Sequence, residues 1–176
     1  ADFIGEDDDT PPFLPEGLAR VDAVPGLSTA ERLTLNHIRG HEYLSLFGLV
    51  EEFILPFLER HMRAETFGPA DGPDRQRALD RFTAEEAKHI ALFKRFRARF
   101  ADAFPVECGV IGPVEAIVAE VLRHHPLSVA LLTLHLEWLT QSHYLDSVRD
   151  DAGIDPLFAS LLRNHWIEEA QHAKLD

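Results

Sequence analysis

Apolar residues recur every three or four positions in four long stretches of the chain, and no segment alternates with period two. The pattern predicts an all-α protein. The first stretch opens on the capping box Ser28-x-x-Glu31 and runs to about Thr66. Pro56 lies inside it; lacking an amide hydrogen for Glu52, it is expected to kink the helix. The second helix runs from about Asp74 to Ala103. The third runs from Pro126, a residue suited to a first turn, to near Asp150, and the fourth from Pro156 to the end.

Glycine and proline mark Phe67–Pro73 as a turn, and Asp151–Asp155 is the matching turn of the second pair. Two short turns make two antiparallel hairpins. Pro105–Pro113 is a connector, followed by a short helix over Val114–His124, and together they are long enough to cross one end of the hairpins. The predicted fold is a four-helix bundle with one long crossover containing a short helix. Residues 1–27, proline-rich and carrying the acidic run Glu6–Asp9, lack periodicity and read as an extended arm, leaving residues 28–176 as the bundle domain.

Two Glu-x-x-His motifs interrupt the apolar stripes, Glu86-Ala-Lys-His89 and Glu169-Ala-Gln-His172. Positions i and i+3 share a helix face, so each motif aims a carboxylate and an imidazole at one point. The first sits on the stripe Leu79, Phe82, Glu86, His89, Phe93, Phe96, Phe100, which is apolar except at the motif. The second sits on Phe158, Leu162, His165, Glu169, His172. Glu85 and Glu168 fall instead on faces read as solvent-exposed.

Each remaining long helix supplies one acid. Glu137 lies on the stripe Leu127, Ala130, Leu134, Gln141, Tyr144, Val148, and Glu51 shares its face with Leu44, Phe47, Ile54, Leu55 and Leu58, whereas Glu52 falls with Ser45 and Glu59. Residues facing each other in an antiparallel hairpin are equidistant from its turn. The midpoint of Glu51 and Glu86 falls within Phe67–Pro73, and that of Glu137 and Glu169 within Asp151–Asp155. Glu51, Glu86, His89, Glu137, Glu169 and His172 therefore meet at one height.

Four buried carboxylates without cations would cost several kcal/mol each or have to protonate. Two divalent ions would neutralise them, and oxygen ligands with one or two imidazoles per metal suit iron or manganese better than structural zinc. His165, one turn before Glu169, is either a third histidine ligand that makes the pair asymmetric or a cavity histidine beside it. Tyr144 and Gln141 either line a pocket or pack with internal hydrogen bonds. The other histidines read as surface or packing residues.

Composition narrows the setting. At 176 residues, 45% hydrophobic and 27% charged, the chain suits one folded domain. Thirty acids against 17 bases give a net charge of −13, which argues against nucleic-acid and anionic-membrane partners. The single cysteine, Cys108, allows no intrachain disulfide and fits a reducing, cytoplasmic setting. Neither a leader segment nor a membrane span is expected.

The four-helix plan with Glu51, Glu86-x-x-His89, Glu137 and Glu169-x-x-His172 resembles the ferritin-like di-iron carboxylate superfamily. The phrases Glu-Glu-Ala-Lys-His-Ile (85–90) and Glu-Glu-Ala-Gln-His (168–172) look typical of it. With His165 and the separation of Glu51 from Glu86, the chain is most similar to the para-aminobenzoate N-oxygenase branch, where such a histidine is a third nitrogen ligand. The resemblance implies two iron ions, manganese being an alternative, that activate O2 to oxidise a small organic substrate such as an aryl amine. It further implies an external electron donor, a ferredoxin or a reductase, and leaves a homodimer open. Other branches imply ferroxidase or iron-storage activity, or peroxide removal as in rubrerythrins and manganese catalases.

Overall fold

The computed structural model describes residues 11–62, 72–104, 107–109 and 112–172, and among these there are six α-helices and no strand. They are α1 (Glu16–Ala19), α2 (Thr29–Phe57), α3 (Gly72–Ala103), α4 (Val114–Val121), α5 (Pro126–Ser147) and α6 (Pro156–His172). The all-α expectation holds for these residues. α2 packs along α3 and α5 along α6, while α2 also meets α5 and α3 meets α6, so the two hairpins close a helical bundle. α4 lies against α2. Among the described residues, no helix is long and apolar enough to cross a membrane.

Helix starts follow the local chemistry read from the sequence. The Ser28 hydroxyl accepts from the Glu31 amide, and the Glu31 carboxylate accepts from the Ser28 amide. Pro126 occupies the first turn of α5. Asp155 caps α6 by accepting from the amides of Leu157 and Phe158. At Pro56 the response is more specific than a kink: α2 continues through it to Phe57 and then widens into a π-turn over Leu58–Met62. The proline removes one rung of the helical ladder, and the wider turn follows within two residues. Of the expected first turn, Phe67–Asp71 lie outside the described residues, as do residues 63–66; Gly72 and Pro73 already belong to α3.

Residues 11–27 differ from the extended arm expected there. They form α1 and a 3-10 turn at Val21–Ala23, and Phe13, Leu14, Ala19 and Val21 are buried in the core. Asn36 of α2 holds this segment in place: its Oδ1 accepts from the amides of Phe13 and Leu14, and its Nδ2 donates to the Leu14 carbonyl. The Phe13 ring stacks on Phe158 at 5.0 Å. Gly40 makes the approach possible, because a Cβ there would lie 2.7 Å from Phe13 Cβ. None of these contacts has a periodic signature. The Glu6–Asp9 run lies outside the described residues.

A second difference concerns Leu127, expected on the inner stripe of α5 and found 51% exposed. The buried positions of α5 step back from Glu137 by fours, through Thr133 to Val129. Each step of four drifts by about 40° around the helix, which leaves Leu127 outside. With Leu131 and Trp138, also exposed, it forms an apolar outer face on α5.

The core comprises two apolar clusters. One gathers Phe13, Leu44, Phe93, Phe96, Phe100 and Phe158 toward the 151–155 turn; the other gathers Phe53, Ile54, Phe57, Leu79, Phe82 and Val129 toward the opposite end. On α2, α3 and α5 the buried Glu51, Glu86, His89 and Glu137 lie between the two clusters in sequence, and on α6 His165, Glu169 and His172 follow the residues of the first cluster.

Candidate metal centre

Glu51 of α2, Glu86 and His89 of α3, Glu137 of α5, and His165, Glu169 and His172 of α6 are all buried. Glu86 and His172 have no exposed surface at all. Their donor atoms form two groups, Glu51–His89–His165–Glu169 and Glu86–Glu137–Glu169–His172, with the atoms of each group within 4.8 Å of one another. Glu169 belongs to both. The structure thus brings together all seven residues singled out in the sequence, and each group could hold a metal ion. His165 joins His89 in one group while His172 is the lone imidazole of the other, so the pair is asymmetric.

The interior distances are short. His165 Nε2 lies 2.7 Å from Glu51 Oε1 and 3.3 Å from Glu169 Oε1. His89 Nδ1 lies 3.1 Å from Glu169 Oε1, and His172 Nδ1 lies 2.8 Å from Glu86 Oε1. Yet Glu51 Oε2, both oxygens of Glu86, Glu169 Oε1, and the Nδ1 atoms of His89 and His172 have no hydrogen bond of good geometry among the described residues. Buried polar atoms are ordinarily satisfied. Lone pairs that converge without partners are what a cation site requires, so the donor set fits a pair of divalent metals.

The outward nitrogens explain the orientation of two imidazoles. His89 Nε2 donates to Glu168 Oε2 at 2.7 Å, and His172 Nε2 donates to Glu85 Oε2 at 3.0 Å. A carboxylate only accepts, so the proton sits on Nε2 and each Nδ1 points inward as the metal-facing atom. Lys88 Nζ lies 2.5 Å from Glu168 and steadies it. The sequence pattern puts Glu85 and Glu168 on solvent faces; the structure places both at the rim, half-buried, touching the opposite helix. The signal available for them is the doubling of glutamate in both motifs, Glu85-Glu86 and Glu168-Glu169.

Without cations, protons take up the charge. Burial, reinforced by Glu86 and Glu169, pushes Glu51 well above the usual carboxylate range, and burial also raises Glu86. Burial holds His165 down to about 4. In the short Glu51–His165 contact, burial therefore disfavours the charged form of both partners. For His172, burial opposes protonation, but Glu169 and Glu86 outweigh it and raise the group to about 10; His89 is raised in the same sense. Burial likewise opposes ionisation of Glu169, but its close neighbours His172, His89 and Glu137 prevail and hold it below its usual range.

The remaining candidates sort cleanly. Glu52 faces outward and pairs with Lys94. Gln141 donates to the Trp166 carbonyl at 3.2 Å and Tyr144 stacks on the Trp166 ring at 4.8 Å, so both serve packing. His37 and His41 are buried, while His124, His125 and His135 are exposed. Comparison with known proteins adds no relative to this geometry: no family model, no curated protein and no solved structure matches the chain.

Proposed function

We propose that the chain is a di-iron carboxylate oxygenase of ferritin-like architecture, manganese being an alternative metal, that oxidises a small organic substrate with O2. The observation that carries this reading is the sharing of Glu169 between two buried Glu/His groups, the arrangement a carboxylate-bridged metal pair needs. Bound iron would supply the binding and reduction of O2, with electrons from a separate reductase or ferredoxin.

The chain's own residues do the rest. Glu51, His89 and His165 would hold one ion; Glu86, Glu137 and His172 would hold the other, with Glu169 between them. Glu85 and Glu168 fix the imidazoles so that only Nδ1 faces inward. The apolar clusters on either side keep water from the centre. Three imidazoles and four carboxylates leave positions free for exogenous ligands if each ion prefers about six donors.

The test is anaerobic loading of the metal-free chain with Fe(II), followed by metal analysis and O2 exposure with an added reductant. About two irons per chain and substrate-dependent O2 consumption are expected. Failure to retain iron or manganese would overturn the metal reading. Retention with rapid peroxide turnover and no substrate dependence would place the chain with the peroxide-removing alternatives instead.

A further inference from the structure

The chain is strongly acidic, yet its cations are gathered rather than scattered. Eight of the 17 lysines and arginines lie on α3. Arg81, Lys88, Arg95 and Arg99 follow one another at spacings of seven, seven and four, so they share one outer line of the helix, and all four are exposed. Lys88, Arg95 and Arg99 edge a recess between α3 and α6. The α6 side of that recess contributes Leu157, Ser160, Leu161 and Asn164, and the apolar Leu92 and Leu157 are 40% and 51% exposed. Among the described residues one acid, Glu168, lines it, and Lys88 at 2.5 Å and His89 at 2.7 Å already meet that charge. Arg95 and Arg99 are thus not offset by it. The result is an apolar centre with a cationic edge, in a molecule of net charge −13.

This face also lies over the metal centre. His89 and His165 line the recess, and from Glu168 at its rim one hydrogen bond leads to His89, whose other nitrogen faces inward. Two further recesses lack this combination. The one between α2 and α5 reaches the carboxylates, but no lysine or arginine lines it among the described residues. The one beneath α4 is lined by Arg60, Lys94, Arg97 and Arg123 but touches none of the seven candidate ligands.

We propose that the α3/α6 face is the docking surface for the electron donor, and that the donor is a small acidic protein carrying a one-electron iron–sulfur cluster. This rests on the metal-pair reading above and gives it a partner and a place. Cys108 is the one cysteine of this chain, whereas such a cluster takes about four, so the cluster has to arrive on another protein. Acidic groups around the donor's cluster would meet Arg81, Arg95 and Arg99, while Leu92 and Leu157 supply the apolar contact between them. The acidic remainder of the surface repels the same donor and so favours this face. Each encounter passes one electron: the donor's cluster is oxidised, one ferric ion of the centre is reduced to ferrous, and no bond is made or broken. Two encounters reduce the pair.

The probe is a strongly acidic plant-type [2Fe–2S] ferredoxin, added in its oxidised form to the full chain, metal-free and iron-loaded, and followed by amide NMR and stopped-flow association. Shifts or broadening are expected at Lys88, Leu92, Arg95, Leu157 and Leu161. Affinity should fall about tenfold or more between roughly 0.03 and 0.3 M salt as screening tightens. Arg95→Glu with Arg99→Glu should slow association about tenfold or more, whereas Arg60→Glu with Arg123→Glu, the same change of net charge at the recess beneath α4, should alter it less than about twofold. In the iron-loaded chain the first pair should slow reduction by reduced ferredoxin to a similar extent and leave reduction by the methyl viologen radical unchanged. If that variant does not fold, the amide signals of the unaltered chain decide the same point. Signals confined to the α2/α5 face around Leu46 and Leu139, binding that is absent or insensitive to salt, or equal slowing by both pairs would each overturn the proposal. Failure of the metal reading looks different: iron would not be retained, while docking to the metal-free chain would keep its dependence on Arg95 and Arg99.

Discussion

His89 on α3 donates a hydrogen bond from Nε2 to Glu168 on α6 across 2.7 Å, and His172 on α6 does the same to Glu85 on α3 across 3.0 Å. Each acceptor immediately precedes a candidate ligand on its own helix, so the two helices orient one another's imidazoles crosswise. Glu168→Ala should lower the metal affinity of the group containing His89 by about 10–100-fold and spare the other; Glu85→Ala should do the reverse. Titration of Fe(II) against a chromophoric chelator, resolved into two sites, measures both. Glu52→Gln, whose parent residue pairs with Lys94 on the outside, is the control and should change neither site.

The shared carboxylate makes a stoichiometric prediction. Glu169→Gln removes a donor from both groups and leaves the remaining acids short of a bridge, so retained metal should fall from about two per chain toward zero. Glu137→Gln touches one group only and should leave about one. Metal analysis after gel filtration separates these outcomes. Loss of a single metal from Glu169→Gln would show that the residue does not bridge.

The centre was legible in the sequence because its information is helical and local. A polar residue on an otherwise apolar stripe, such as Glu86 between Phe82 and Phe93, announces its own burial, and the hairpin midpoints fix its height against Glu51. The rim was not legible. Helix periodicity says which face Glu85 and Glu168 present but not that an imidazole from the neighbouring helix reaches over that face. Burial of the 11–27 segment was illegible for a related reason: Phe13 is held through Asn36 and the missing Cβ of Gly40, contacts made across more than twenty residues of chain.

Metal binding should release protons. In the metal-free chain His172, at about 10, holds a proton at neutral pH that a cation must displace, and His89 and Glu51 are shifted upward in the same sense. Calorimetric titration of Fe(II) or Zn(II) in buffers of differing ionisation enthalpy should show about one to two protons released per chain near pH 7. Apparent affinity should rise with pH across the neutral range. An observed enthalpy independent of buffer would contradict the protonation pattern.

Anchoring of the N-terminal segment predicts two stability losses far from the centre. Gly40→Ala places a Cβ against Phe13, and overpacking of this kind costs about 1–3 kcal/mol. Asn36→Ala leaves two buried amides and one carbonyl without partners, at about 1–3 kcal/mol for each group not reached by water. For a chain of this size a loss of 3 kcal/mol lowers Tm by roughly 6–12 °C. Thermal unfolding followed by circular dichroism checks both, and the metal stoichiometry of the folded variants should be unchanged.

The same end of the bundle sets an acid sensitivity of known sign. Burial lowers His37, against the opposing pull of the Pro11 carbonyl and Asp155, and burial together with Arg97 lowers His41. Both groups are harder to protonate folded than unfolded. Their contribution to stability is therefore complete above the unfolded value of about 6.5, and declines as pH falls below it and the unfolded chain takes up the protons first. The slope cannot exceed about 1.4 kcal/mol per pH unit for each histidine. His172, raised in the metal-free chain, acts in the opposite sense, so the net profile of the protein mixes the two. A difference measurement removes that mixture: urea unfolding of the metal-free chain at pH 7.5 and 5.0, compared with the His37→Gln/His41→Gln variant, cancels the contributions of His89 and His172. The parent chain should lose more stability on acidification than the variant. Parallel losses in the two proteins would mean that neither histidine carries the effect.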